Sequence, residues 1–449
     1  MTSDQITVAS ASAPPASTQR TAKVFNLNSG QQAALDALLA FLDPKQTEQD
    51  EFVLSGFAGT GKTYTMQALI AQIKGRLIFT APTNKATKVL RETLTSEDYK
   101  PDCRTIHSLL GLRMEANNEI KVLAAPEDPV DLDQYLAVVL DEAGMVGNDL
   151  KGYIDRCRAE AKIKFIYMGD PKQLNPVKEE LSPIWKLPIG AELTEVMRNA
   201  GPILALATAV RQQVGLLVPR LRLPDFIDDT QPDLGTVEML TGGSFETAIA
   251  CDAEFGRFSS PTGVKVISWR NAIVDRYNKL IRQRIFDDPN EPWLPTDRVV
   301  ATSPGKHLDT GDPLIYTDAE GEVIKAVECE HPLFEDMPAW SVTVRLDEGK
   351  MVGLHTLHAA GLAEFNSRKQ DLLQRAKVEK RRWREYWEFV EAWHSIRHAY
   401  AITAHRSQGS TYDRVYVDWR DILTNQNRTE AYRCLYVAVS RPKKALILN

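Results

Sequence analysis

The segment Gly56-Phe57-Ala58-Gly59-Thr60-Gly61-Lys62-Thr63 constrains this chain more than any other. It fits G-x-x-x-x-G-K-[ST], follows the apolar run Phe52-Val53-Leu54 and opens a helical stretch from Tyr64 to Ile73. Strand, glycine-rich loop and helix in that order turn backbone N–H groups inward around a phosphate chain, and the helix N-terminus adds favourable potential for an anion. In such a loop Gly56, Ala58, Gly59, Thr60 and Gly61 form the cradle, Lys62 reaches the β- and γ-phosphates, and the Thr63 hydroxyl ligates magnesium. A nucleoside triphosphate with Mg2+ is the expected ligand.

A loop of this kind hangs from a parallel sheet. The apolar runs Leu77-Ile78-Phe79, Ala137-Val138-Val139-Leu140 and Phe165-Ile166-Tyr167 alternate with helical stretches from 27 to about 200, as buried strands of a parallel α/β sheet do. A second set, Val264 to Ile267, Tyr400 to Ile402, Val415 to Val417 and Ala445 to Leu448, predicts a second α/β domain over 201–295 and 396–449. The 449 residues suit roughly two to four domains. Between the halves of the second domain lies an insertion, 296–395. Its short strand-like runs (Leu314 to Tyr316, Val323 to Val327, Trp340 to Leu346) and the turn Asp347-Glu348-Gly349-Lys350 predict a small β-barrel. Its remainder, from about 360, reads as helix, with Trp383, Tyr386, Trp387 and Val390 as a core stripe and Arg381, Arg382 and Arg384 on a solvated face. The Ser-, Thr-, Ala- and Pro-rich start, 1–24, is expected to be a flexible tail.

The next requirement is a carboxylate for the metal and one for an attacking water. Asp141 and Glu142 close the strand Ala137 to Leu140, where parallel sheets place their ligands. Asp141 is read as the magnesium ligand and Glu142 as the group that orients and deprotonates water. Gly169-Asp170-Pro171-Lys172-Gln173-Leu174-Asn175-Pro176 follows another strand and puts the Gln173 amide beside the γ-phosphate. Arg198 and Arg441 end the two α/β units; each is either a cation that neutralises the transition state across a closing cleft or a surface ion pair. A nucleotide kinase has no use for both arginines and a second α/β unit.

Charge alone does not name a partner: 54 Lys and Arg against 60 Asp and Glu give −6, which disfavours a nonspecific coat on nucleic acid but permits a local basic groove. The five cysteines show no CxxC spacing and no neighbouring His or Cys cluster in sequence, so they read as reduced packing thiols rather than a zinc site. With no apolar run of about eighteen residues and no signal-peptide pattern, a cytoplasmic chain without a membrane partner is the expectation.

Taken in order, Leu27-Asn28-Ser29-Gly30-Gln31, the glycine-rich loop, Thr80 to Ala86, Thr105 to Leu110, Asp141-Glu142-Ala143, Gly169 to Gln173, Leu193 to Arg198, Ala404 to Thr411 and Tyr436 to Arg441 resemble the motifs of superfamily 1 helicases. The likeness is to the 5′-to-3′ branch with the RecD, Pif1 and Dda types, above all to the Dda type of phage helicase. It implies two RecA-like P-loop NTPase domains, a hairpin insertion at about 111–130 in the first, and an SH3-like barrel plus helical insertion in the second. It implies ATP as the nucleotide, with Gln31 reading adenine and Gln408 and Gly409 coupling nucleotide to DNA. Single-stranded DNA and a duplex fork are the implied partners, met by Pro82, Thr83, Asn84, Thr105, His107, Asn175, Pro176, Thr403 and His405, with replication or single-strand-binding proteins alongside and the chain acting as a monomer. Trp269 and Asn271 close a further strand; Trp269 either stacks on a base or packs inward, and the two histidines either touch DNA or serve as structural imidazoles. The chain departs from the pattern in its strand-separating hairpin, because Leu112 to Pro126 holds no Phe, Tyr or Trp and leaves Met114, Ile120 or Leu123 as the wedge. DNA-driven translocation is therefore the firmer expectation, and protein displacement without unwinding is the alternative.

Overall fold

The computed structural model describes residues 25–117, 120–126, 130–176, 179–195, 201–230 and 232–449. The expected tail at 1–24 and Arg198 lie outside them. Eight strands come first: β1 (Glu51–Gly56), β2 (Arg76–Ala81), β3 (Asp102–Thr105), β4 (Arg113–Asn117), β5 (Ile120–Ala124), β6 (Tyr135–Leu140), β7 (Lys164–Gly169) and β8 (Ile189–Leu193). Six of them form one sheet in the order β3-β2-β6-β7-β1-β8, every neighbour parallel. Alternate residues of β2 show why the runs are apolar throughout: Leu77 and Phe79 pack with Leu35 and Leu38 of the helix Ser29–Leu42, whereas Ile78 packs with Ile154 of the helix Asn148–Ala161 on the other face. β3 and β8, which carry shorter apolar runs, are two strands that periodicity missed. The antiparallel pair β4 and β5 stands apart, and its turn at 118–119 and the side chains of Met114, Ile120 and Leu123 lie outside the described residues.

The remaining strands are β9 (Thr236–Met239), β10 (Val264–Ser268), β11 (Arg298–Ala301), β12 (Gly305–Lys306), β13 (Pro313–Ile315), β14 (Glu320–His331), β15 (Phe334–Leu346), β16 (Met351–Leu357), β17 (Ile396–His398), β18 (Ala401–Thr403), β19 (Tyr412–Val417) and β20 (Pro442–Leu448). A second parallel sheet runs β18-β10-β19-β20-β9. The insertion carries an antiparallel sheet in the order β16-β15-β14-β11-β17, with the short pair β12 and β13 beside it, around Val299, Val323, Val342 and Leu354. Its helical part breaks at Glu379 into Leu362–Val378 and Trp383–Glu391. Trp383 and Tyr386 are buried with Trp387 and Val390 packed on them, and Arg382 and Arg384 pair with the glutamates Glu379, Glu385 and Glu388 on the exposed side. None of the described helices is long and apolar enough to cross a membrane.

The insertion is tied to the second sheet by Asp297, which is fully buried. Its Oδ1 accepts from Arg282 Nε and from the Tyr400 hydroxyl at 2.9 Å each, and its Oδ2 accepts from Arg282 Nη2 at 2.9 Å and Leu294 N at 2.8 Å. Removing one member of such a buried pair strands the other charge, at a cost of about 3–5 kcal/mol. Asp297→Ala should accordingly lower the urea midpoint of unfolding far more than the exposed-pair variant Arg384→Ala, which should leave it nearly unchanged.

Candidate functional site

Because the neighbours of the first sheet are parallel, their carboxyl ends gather along one edge, and the chemistry-bearing residues gather with them. β1 delivers the glycine-rich loop, β6 delivers Asp141 and Glu142, and β7 delivers Asp170. The loop turns through Gly59 and Gly61, at φ of 85° and 84°, before the helix Lys62–Gln72, whose N-terminus has no side-chain cap. Lys62 Nζ donates to the Gly56 and Phe57 carbonyls at 2.7 and 3.0 Å. Burial depresses its pKa, while the carboxylates of Asp141, Asp170 and Glu142 push the other way and Arg211 adds to the depression. Burial and the neighbouring Glu142 raise the Asp141 carboxyl to about 6 against the pull of Lys62. An ammonium, an uncapped helix N-terminus and carboxylates clustered around Lys62 fit a magnesium nucleotide. Gln31 is buried against the same loop: its Nε2 donates to Thr60 O at 3.0 Å, and its Oε1 accepts from Asn28 N at 3.2 Å.

The second sheet faces this edge. Gln408 Nε2 donates to Glu142 Oε2 at 3.0 Å, and Glu142 holds a left-handed backbone at φ 53°. Asp170 accepts from Arg211 Nη2 at 3.1 Å and from the Tyr436 hydroxyl at 2.7 Å. The same hydroxyl lies 3.4 Å from the Ala58 N–H, and the Arg211 guanidinium lies 3.4 Å from the centre of the Phe57 ring. Arg433 Nη1 donates to Pro171 O at 2.7 Å and to Gln173 O, while the buried Gln173 Oε1 has no hydrogen-bond partner among the described residues. Arg441 is held within its own unit in this structure. Its guanidinium donates to Val437 O, Ser410 O and Ser440 Oγ at 2.9, 3.1 and 2.8 Å, all within the second α/β unit, so here it is the neighbouring Arg211 that packs on the loop. Arg211 and Arg433 escaped the sequence reading because each sits in an ordinary amphipathic helix, and only packing aims them across the cleft.

Beside the nucleotide site a groove of about 1990 Å³ opens between the first sheet and the insertion. Pro82, Thr83, Asn84, Thr105 and His107 line it together with Lys88, Arg91, Arg104 and Arg156. Thr83 and Thr105 each cap a short strand-to-helix turn, accepting from Ala86 N at 3.2 Å and Ser108 N at 3.1 Å.

A family model described as an AAA domain matches residues 26–214, and one described as a UvrD-like helicase C-terminal domain matches residues 398–449. The ATP-dependent DNA helicase dda of Enterobacteria phage T4 is 24% identical over 454 residues, covering 93% of this chain and 97% of that protein. An uncharacterized protein, R530 of Acanthamoeba polyphaga mimivirus, is 26% identical over 502 residues, covering 93% and 99%. Two solved structures share the fold at a TM-score of 0.50 and 17% identity: Pif1 helicases on forked duplex DNA, covering 94% of this chain and 92% of that one, and Bacteroides Pif1 bound to single-stranded DNA, covering 95% and 92%. The chain is thus similar to a Dda helicase along nearly its whole length and shares the fold of Pif1 helicases.

The other expected DNA residues are dispersed. Thr403 repeats the capping turn in the second sheet, accepting from Arg406 N at 3.4 Å. Trp269 is half-buried against the second core, Asn271 Oδ1 accepts from Arg397 at 2.8 Å, and Asn175 Nδ2 donates to Glu180 O. None of these, nor Pro176, lines the groove of the first sheet. Burial lowers the pKa of both His107 and His405, the first against a hydrogen bond to the Pro82 backbone and the second against Glu430. The cysteines are free, as expected, and Cys434 meets a histidine from another element and a carboxylate of its own helix: His405 Nε2 lies 4.0 Å from Cys434 Sγ and 3.5 Å from Glu430 Oε1. Burial, with the Glu430 charge, pushes the Cys434 thiol up to about 12, and that packing role matches its place in the core.

Within the glycine-rich loop the closest approach is at Gly61, where a Cβ would stand 2.4 Å from Gln31 Nε2 on a backbone of φ 84°. Gly61→Ala should weaken binding of a fluorescent ATP analogue by about tenfold or more while the circular dichroism spectrum persists, since a left-handed alanine alone costs about 1–2 kcal/mol.

Proposed function

We propose that the chain is an ATP-dependent DNA helicase and translocase that moves 5′ to 3′ along single-stranded DNA and opens duplex ahead of it. The observation that carries this reading is the set of contacts crossing the cleft: Gln408 to Glu142, Tyr436 and Arg211 to Asp170, and Arg433 to the carbonyls of Pro171 and Gln173. Groups that would touch the nucleotide are thereby bonded to the second sheet, whose strand ends carry Thr403 and His405. Lys62 holds the phosphates, and Glu142, released by Gln408, orients water and takes its proton. Gln173 brings an unpaired amide oxygen to the γ-phosphate side. Thr63 and Asp141 would hold Mg2+, which supplies charge neutralisation at the phosphates. Arg211 lies close enough to share that task, and Arg198 and Arg441 join on closure. Cleft closure and reopening alternate the grip of the two sheets on the strand. The relatives' association with DNA helicase activity, forks and single strands supports the substrate class, and a role as a monomer in phage or bacterial replication, recombination or repair in the cytoplasm follows the same likeness.

A second reading, an ATP-driven translocase that strips proteins from single strands with little unwinding, is favoured by one feature, the absence of any aromatic residue from Leu112 to Pro126. Streptavidin displacement and fork unwinding measured side by side separate the two. The primary reading requires ATPase turnover to rise strongly with an oligodeoxynucleotide; turnover indifferent to DNA would sink it. Fork unwinding from a 5′ tail is expected, and unwinding only from a 3′ tail would reverse the polarity. Lys62→Ala should reduce turnover by about a hundredfold or more while retaining most DNA affinity, because the lysine stabilises charge on phosphate and lies apart from the groove.

A further inference from the structure

One carboxylate joins three parts of the chain. Glu320, at the first position of β14 in the insertion, is 8% exposed and accepts from Lys85 Nζ at 2.7 Å and from Lys265 Nζ at 3.0 Å. Lys85 belongs to the helix Asn84–Leu94 of the first α/β unit, and Lys265 to β10 of the second sheet. Both ammonium groups also lie over the ring of Tyr412, at 6.0 and 5.3 Å, and Lys265 donates to Ala399 O at 2.6 Å. Arg298 approaches the same carboxylate at 4.0 Å but is held by Asp347 at 2.7 Å, and the nearby Asp318 pairs with Arg406 at 3.4 Å. Against the burial that would raise it, Lys265 and Lys85 hold the Glu320 carboxyl well below the usual carboxylate range.

The cluster occupies a mechanical junction. The helix that begins at Asn84 turns Asn84, Thr87, Lys88 and Arg91 to the groove and Lys85 to the cluster, where Lys85, Glu142, Gln408 and Gly409 line one small cavity of about 170 Å³. Tyr412 lies four residues beyond Gln408, which bonds Glu142. A buried ion cluster contributes little net stability, because desolvation consumes most of the attraction, and this one joins charges supplied by three parts of the chain.

We propose that Glu320 is a positioning residue that, by holding Lys85 together with Lys265, makes the groove-lining helix Asn84–Leu94 follow the second sheet, so that nucleotide-driven movement of the cleft reaches the bound strand. The inference rests on the function proposed above and adds the element that transmits it. Without the tie, ATP is still hydrolysed but the helix slips.

The test compares the full chain with Lys85→Met, which leaves the Glu320 and Lys265 pair intact, with Lys85→Arg as the conservative rescue, and with Glu320→Gln. Streptavidin displaced from a biotinylated oligodeoxynucleotide is measured per ATP hydrolysed, together with kcat, the KM for oligonucleotide and the melting temperature. Lys85→Met is expected to lower displacement per ATP by about fivefold or more, the scale of a modest coupling energy, with DNA-stimulated kcat held within about twofold. Lys85→Arg restores most of the ratio, and Glu320→Gln matches Lys85→Met in ratio even if it melts lower. A wild-type ratio in Lys85→Met overturns the inference, as does a defect confined to the oligonucleotide KM, which would make Lys85 a direct phosphate contact. A wild-type chain whose ATPase ignores DNA fails differently, removing the proposed function and the inference with it.

Discussion

Asp170 has no exposed side-chain surface, and a buried carboxylate must find partners. Both of its side-chain partners, Arg211 and Tyr436, come from the far side of the cleft. Within its own unit the Asp170 carboxylate accepts from the Lys172 backbone N–H at 3.0 Å, and the side chains that complete its shell also touch the nucleotide loop, Arg211 through Phe57 and Tyr436 through Ala58. These bonds, with Gln408 to Glu142 and Arg433 to Pro171 and Gln173, place the second unit against the loop.

The parallel sheets explain why two kinds of site lie so close together. Loops leaving the carboxyl ends of β1, β6 and β7 carry the phosphate chemistry, and the turns after β2 and β3 carry the groove. Thr83 and Thr105 there, and Thr403 in the second sheet, perform the same local task, capping a helix immediately after a strand. That repeated turn sets a threonine cap at the end of a strand in both sheets.

Much of the fold was legible because burial on both faces writes continuous apolar runs, as in β1, β6, β7, β10 and β20. β3 and β8 were not, since short strands at or near a sheet margin carry few such residues. The helical part of the insertion was read correctly as a packed stripe at Trp383 and Tyr386, though its break at Glu379 has no glycine or proline to announce it. At the site, Lys62, Asp141 and Glu142 declared themselves by spacing from the glycines. Arg211, Arg433 and Glu320 did not, because their partners lie 41, more than 200 and 235 residues away along the chain, and nothing local distinguishes them from surface charges.

What the sequence by itself determined is the phosphate loop, the alternation of strands and helices that demands two parallel sheets, and the acids that follow them; each depends on contacts within a few residues or on an unbroken apolar run. Only the tertiary structure decided which arginine packs on the loop, that Arg441 turns to carbonyls of its own unit, that Cys434 meets His405, and that one glutamate gathers lysines from two other parts of the chain. Those outcomes depend on where distant segments land relative to one another, and the electrostatics of buried charge, which governs them, has no signature in local residue order.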